Sequence, residues 1–324
     1  MEHSEFQFIE QIRDRFKFNS FAERGIGDDC AVIPFSAQES YIITTDNLVE
    51  NIHFTLKTTS FKSLGWKSIA VNFSDIASMG GIPKYIFISI AIPKKISAHN
   101  IYYFYDGVEQ IIKQYGVKLL GGDTTGSIKH LFISITAIGI AKTNKILYRS
   151  GAKENDYVYV TGSLGDSSVG LSLINKNSTT EDINKKILID KHLSPKPRVN
   201  EMIYLNAKYT IHSSIDISDG LSSDLSHILN ESKVGAEIEW NKIPVSNELN
   251  NVVSKGNIED YVLNGGEDYE ILFTSPVKVN TEEFQKEMNC PLSRIGKITT
   301  SDGLILLKDN SKKLITPKGF NHFK

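Results

Sequence analysis

Short β-branched runs alternate along this chain with stretches of helical periodicity, and that alternation restricts the architecture more than any other feature. Apolar runs occur at AVIP (31–34), YIITT (41–45), YIFISIAIP (85–93), VKLLGG (117–122) and LFISITAIGIAK (131–142). Between them, Leu64, Ile69, Phe73 and Ile76 recur at roughly helical spacing over 62–79, and Ile101, Phe104, Val108 and Ile111 do so over 98–115. A second series follows: YVYVTG (157–162), a helix from about 166, helices near 182–192 and 197–206, IHSSIDIS (211–218), a helix from 220, a strand near 235–239, YEILF (269–273) and short C-terminal strands. The expected class is α/β or α+β. The polar stretch RSGAKEND (149–156) separates the two series and predicts an N-terminal domain over 1–148 and a C-terminal domain over 149–324, a length that accommodates two cores. Ile and Ser alternate at 85–92 and 131–142, which suits half-buried strands with one face open to a partner subunit.

Charge and cysteine usage narrow the partners. Lys+Arg total 36 against 38 Asp+Glu, a net charge of -2, which argues against nucleic acid or an anionic membrane surface. Cys30 and Cys290 are far apart and form no CxxC pair, as suits a reducing compartment. The start MEHSEFQFIEQIRDRF is acidic and amphipathic, unlike a signal peptide, and no apolar run approaches the length that spans a bilayer. The expectation is a soluble cytoplasmic protein.

The aspartates carry the chemistry. GIGDDCAVIP contains Asp28 and Asp29; Asp46 follows the run YIITT; Asp75 lies in the helical stretch VNFSDIASMGG; Asp123 follows LLGG; IDISDG contains Asp216 and Asp219; NGGEDYEILF contains Glu267 and Asp268. Several have ordinary accounts: Asp219 as an N-cap, Asp123 as a turn residue, Asp46-Asn47 as a strand end. Asp75 resists one, because it sits mid-helix among Phe73, Ile76 and Met79, with Asn72 one turn before it, where an unpaired carboxylate is costly. Taken together, short carboxylates beside Thr44, Thr45 and Ser218 suit hard cations, and no Cys/His cluster supports zinc. Converging carboxylates repel unless cations lie among them. The pattern therefore predicts a site for several Mg2+ ions that recruits a polyphosphate. There is no G-x-x-x-x-G-K-[ST] loop and no HRD or DFG set. TGSLGDSSVG (161–170) fits a plain strand-to-helix turn better than an anion cradle. Successive side chains of an extended chain face opposite ways, so Asp28 and Asp29 have separate tasks, Asp28 organising the turn through backbone hydrogen bonds or reaching a metal through water.

GIGDDCAV, TTDNLVENIHF, AVNFSDIASMGG, LLGGDTTG, SGAKENDYVYVTGSLGDS, HLSPKPR, IDISDGLSSDL, GGEDYE and PKGFNHF occur in this order, and the ordered set resembles the thiamine-monophosphate kinases from about residue 5 to the C-terminus. The resemblance implies ATP- and Mg2+-dependent phosphorylation of thiamine monophosphate by direct in-line transfer, without a phospho-enzyme. It implies the two-domain fold shared with aminoimidazole ribonucleotide synthetase and selenophosphate synthetase, in which N-terminal domains carry a mixed sheet and pair as a homodimer with ATP between subunit surfaces. Carried over, the metal ligands are Asp29, Thr44, Thr45, Asp46, Asp75, Asp123, Asp216 and Asp219, with Asp28 as a further candidate. Asp46, Asp75 and Asp123 are catalytic through positioning of Mg2+. Gly121, Gly122, Arg149, Ser218 and Tyr105 are ATP contacts, and His53, Glu267 and Phe320 contact the thiamine part. Without the resemblance, His53 reads as a core or surface histidine, Arg149 as a linker residue, and Phe320 and Tyr105 as packing aromatics. The chain departs from the family at Pro317, where Trp is usual, at Phe320, often Tyr or Trp, and at Asn321, where Asp is common; stacking survives these changes and a hydroxyl contact does not. Two other readings stand beside this one: a ligase like aminoimidazole ribonucleotide synthetase, and a non-catalytic Mg-nucleotide-binding module. Selenophosphate synthesis is disfavoured, since Cys30 falls at a strand start and no reactive cysteine occupies a glycine-rich N-terminal loop.

Overall fold

In the computed structural model, which describes residues 5–16, 23–176 and 181–319, the first series of strands pairs into one sheet. After an N-terminal helix α1 (Glu5–Arg15) come β1 (Ala31–Pro34), β2 (Glu39–Val49), α2 (Phe61–Ser78), β3 (Ile82–Pro93), α3 (Ala98–Tyr115), β4 (Lys118–Ser127) and β5 (Phe132–Lys142). The strand order is β1-β2-β5-β3-β4. Only β3 and β4 run parallel, and α3 supplies the crossover that a parallel pair requires. Ile86, Ile88, Ile90, Ile133 and Ile135 face inward while Phe87, Ser89 and Phe132 do not, as the Ile/Ser alternation predicts.

The second series contains β6 (Tyr157–Thr161), α4 (Asp166–Asn175), α5 (Ile183–Leu193), α6 (Val199–Lys208), β7 (Ser213–Asp216), α7 (Leu221–Ser232), β8 (Gly235–Glu239), α8 (Asn247–Val252), α9 (Ile258–Asn264), β9 (Ile271–Ser275), α10 (Thr281–Met288), β10 (Leu292–Thr299), β11 (Leu304–Lys308) and β12 (Ser311–Ile315). Its sheet runs β12-β11-β8-β10-β6-β9-β7, antiparallel except for β8 and β11. The two halves share a core. Leu64, Ile69, Phe73 and Ile76 of α2 pack in one cluster with Ile42, Ile86 and Ile133 of the first sheet and with Met202, Leu205 and Phe273 from the second half. From Leu64 to Ser78, only Trp66 and Asp75 are less than fully buried. Such a helix needs apolar residues all round, which explains the run SLGWKSIAVNF.

Two expectations about strand ends change. β2 and β4 continue past their apolar runs, so Asp46 and Asp123 lie within strands rather than after them. β2 pairs with β5 along its whole length, and those ladder bonds extend the strand through the polar residues 44–47. Among the described residues no helix is long and apolar enough to cross a membrane.

Candidate active site

Thr44 and Asp46 share the inward face of β2 with Ile42 and Leu48, which directs both toward α2. Thr44 Oγ1 donates to Asp75 Oδ2 at 2.6 Å, and so satisfies the mid-helix carboxylate. One residue earlier on α2, Ser74 Oγ donates to Asp216 Oδ2 at 2.6 Å, at the end of β7. Ser78 Oγ donates to Asp29. Arg149 gives Nε and Nη2 to Asp29 Oδ1 at 2.9 and 2.6 Å, and its backbone N–H to Asp28 Oδ1 at 2.8 Å. The neighbouring aspartates thus divide: Asp28 holds backbone, and Asp29 turns into the cluster.

Asp29, Asp46, Asp75 and Asp216 converge, and the charges of the set raise Asp46, Asp75 and Asp216. Burial first, then Asp29, pushes Asp46 up to about 6. Burial and Asp29 push Asp216 up to about 8, against the opposing Ser74 hydrogen bond. Asp75 rises well above the ordinary carboxyl range through burial and then Asp46, Asp216 and Asp29. Mutually repelling, oxygen-only donors with a hydroxyl among them fit hard divalent cations, and the set lacks the nitrogen and sulfur ligands that zinc prefers.

Other predicted residues lie elsewhere in the single chain. Asp46 pairs with Ile135, Ile135 with Ile88 and Ile88 with Gly122, so Gly122 is three strands from Asp46, about 14 Å. Asp123 follows it on β4, an exposed edge strand that also holds Gly121. Thr45 projects from the opposite sheet face to Thr44 and donates to the Ile135 carbonyl at 3.0 Å. Tyr105 packs edge-on against Phe104 at 5.4 Å, as a core aromatic does. Ser218 and Asp219 do reach the cleft. Asp219 is not the N-cap of α7: Gly220 takes that position, and Asp224 Oδ2, missed in the sequence, accepts from the Asp219 and Gly220 amides at 3.1 and 3.0 Å.

A cleft of about 1240 Å³ runs from Asp46 and Asp75 to His53, Lys67, His192 and Glu267. Lys67 Nζ lies 3.0 Å from Glu267 Oε1, and His192 Nδ1 lies 3.3 Å from Oε2. Burial pushes the Glu267 carboxyl up, yet its basic neighbours bring it below the ordinary value. Burial and Lys67 push His192 down to about 4, so at neutral pH it is uncharged and Lys67 is the cation that keeps Glu267 ionised. His53 Nδ1 accepts the Val49 amide at 3.0 Å, which leaves its proton on Nε2. Phe320 lies outside the described residues; Lys318 and Gly319 just before it line the cleft. Lys67 and His192 were not singled out from the sequence; the one signal for Lys67 is a cation interrupting an apolar helix.

The remaining acids of GGEDYE are structural. Asp268 accepts the Gly165 and Ser167 amides at 2.7 and 3.1 Å, and so occupies the helix N-terminus that TGSLGDSSVG offered to an anion. Glu270 pairs with Arg198 of HLSPKPR at 2.6 and 2.5 Å and accepts Thr161 Oγ1 at 2.6 Å.

Comparison with known proteins agrees along the full length. The AIR synthase related protein family matches residues 27–141 by its N-terminal domain and 153–308 by its C-terminal domain. The thiamine-monophosphate kinase of Buchnera aphidicola subsp. Acyrthosiphon pisum is 41% identical over 335 residues, covering 100% of both chains. That of Bacillus subtilis is 35% identical over 330 residues, covering 99% of each. A solved structure described as AaThiL complexed with AMPPCP and TMP superposes with a TM-score of 0.87 at 34% identity, covering 99% of this chain and 98% of that one.

Proposed function

The chain belongs to the thiamine-monophosphate kinase family, and from that premise we propose that it transfers the γ-phosphoryl group of ATP to thiamine monophosphate, yielding thiamine diphosphate and ADP. The observation that carries this reading is a single cleft with two unlike ends. One end is lined by Asp46 and Asp75, with Asp29 and Asp216 close behind them, and the other presents an ionised Glu267 beside His53. A similar protein forms a complex with AMPPCP and TMP.

Asp29, Asp46, Asp75 and Asp216, with the Thr44 hydroxyl, would hold Mg2+, which when bound supplies positive charge between two anionic phosphate chains. The chain's own groups position and polarise. Arg149 stands beside the cluster as a phosphate contact for ATP, and Ser218 reaches the cleft from the loop after β7. Glu267 and the His53 Nε2–H offer an acceptor and a donor to the thiamine rings, with Phe320 as the stacking face. The attacking phosphate oxygen is already anionic at neutral pH, so no side chain need remove its proton and no phospho-enzyme is required.

Pairing of two copies accounts for the distant members of the set. β4 is exposed along its length, and Leu119, Leu120, Phe87 and Phe132 present apolar surface beside it. A homodimer formed there would place Asp123, Gly121 and Gly122 against a second copy, at a shared ATP site. The buried, unpaired Cys30 and Cys290 suit a cytoplasmic location.

ADP release measured with and without thiamine monophosphate, alongside direct detection of thiamine diphosphate, tests the activity. Release that depends on thiamine monophosphate and matches product one for one is the expected result. Binding of ATP without turnover would instead indicate a nucleotide-binding module, and a trapped phosphorylated residue would overturn direct transfer.

A further inference from the structure

We infer that Lys67 is a positioning residue, which fixes the Glu267 carboxylate at the ring end of the cleft and acts on thiamine monophosphate through that carboxylate. The inference rests on the kinase reading above. Lys67 is 2% exposed in the middle of α2, a place where a lysine is rarely found without a dedicated partner. Its ammonium lies 3.0 Å from Glu267 Oε1, while neutral His192 stands 3.3 Å from Oε2. The Glu267 backbone is itself constrained, with φ at 65° and its N–H donating to the Ser218 carbonyl at 2.7 Å. The backbone and Oε1 are therefore held, His192 stands beside Oε2, and the side chain keeps 26% of its surface open for a ligand.

The position of Lys67 along α2 adds a second argument. Lys67, Val71 and Asp75 recur every four residues on one stripe of the helix, and all three line the cleft. Eight residues at 1.5 Å each place Lys67 about 12 Å from Asp75 along the axis. One rigid, buried helix thus carries both the ammonium that holds Glu267 and an aspartate of the metal cluster. A structural ion pair alone would have no reason to sit in the wall of the cleft, on the stripe that bears Asp75.

The test compares Lys67→Met, Glu267→Gln and the double variant in the full-length enzyme. It uses steady-state KM for each substrate and calorimetric Kd for thiamine monophosphate with Mg2+ and a non-hydrolysable ATP analogue. Lys67→Met should raise KM and Kd for thiamine monophosphate about tenfold or more, with KM for ATP unchanged and kcat affected less. Because lysine acts through the carboxylate, the double variant should bind no worse than Glu267→Gln alone. Unchanged thiamine monophosphate binding in Lys67→Met, equal loss for both substrates, or multiplying effects in the double variant would each overturn the inference. Should Lys67→Met fail to fold, the double variant removes both buried charges, and its Kd against that of Glu267→Gln decides the matter alone: equality supports the role and a further tenfold rise refutes it. Wild-type protein that binds no thiamine monophosphate would bring down the kinase reading and this inference together, whereas normal wild-type binding with an unaffected Lys67→Met removes only the inference.

Discussion

Asp28 and Asp29 are adjacent in the chain and yet meet different partners. Asp28 accepts the Arg149 amide, a structural bond, while Asp29 takes the Arg149 guanidinium and Ser78 and faces three other carboxylates. Substitutions should separate them. Asp29→Asn keeps shape and removes charge, so activity at limiting Mg2+ should fall about tenfold or more, ~1.4 kcal/mol of barrier, and excess Mg2+ should restore part of it. Asp28→Ala leaves a half-buried N–H without its acceptor and should cost about 1 kcal/mol of stability, read as a lower melting temperature with no Mg2+ rescue. A Mg2+-rescued Asp28→Ala would reverse the assignment. At this scale the sequence shows which residues are costly to bury, as with Asp75 among apolar neighbours. Lys67 and Asp224 stayed hidden because their partners, Glu267 and the Asp219–Gly220 amides, are defined by tertiary approach or by a local turn rather than by periodicity.

Among elements, α2 does most to assemble the site, and its packing depends on glycine. A Cβ on Gly65 would lie 1.9 Å from the Phe104 carbonyl oxygen, and one on Gly107 would lie 1.9 Å from the Lys62 carbonyl oxygen, so α2 and α3 cross backbone to backbone. Gly65→Ala or Gly107→Ala should force the helices apart and cost roughly 1–3 kcal/mol or more, measured by urea unfolding. Gly65→Ala should also reduce kcat, because α2 carries Ser74, Asp75 and Ser78. A Gly65→Ala variant with wild-type stability would show that the crossing is looser than described. The periodicity of Leu64, Ile69, Phe73 and Ile76 makes α2 readable from the chain, and its observed range of 61–78 lies within a residue of the expected 62–79 at each end. The full lengths of β2 and β4 were not readable: polar residues 44–47 and the glycine pair 121–122 resemble strand ends, and only pairing with β5 and β3 carries the strands through them.

Across the whole molecule, two sheets packed about α2 bring four aspartates from 29, 46, 75 and 216 to one place. Such crowding has a pH signature. The unfolded carboxyls titrate near ~4, whereas Asp46 is raised to about 6 and Asp216 to about 8. These carboxyls leave the folded chain holding more protons than the unfolded one, and His192, held down to about 4, opposes them only below about 6.5, so stability of chelator-treated protein should fall as pH rises from about 6.5 to about 8. Mg2+ should remove most of the decline by favouring the ionised carboxylates. Thermal melts across this range, with EDTA and with Mg2+, check the prediction; stability that rises through the window in EDTA would mean that the carboxylates do not repel as described.

Local order determines much of this protein. Apolar spacing specifies the helices and strands, the near-neutral charge argues against nucleic acid or an anionic membrane as partner, and an ordered set of motifs is specific enough to point to one enzyme family. Those features arise from neighbours within a few turns or strands, which is the range that a chain's own pattern encodes. Convergence is a different matter. Asp216 meets Ser74 across 142 positions of sequence, Arg149 meets Asp29 across 120, and Glu267 meets Lys67 in the wall of a shared cleft. Each of those meetings depends on how segments distant in the chain pack together, because the electrostatic consequences of burial exist only once distant segments exclude water from the same space.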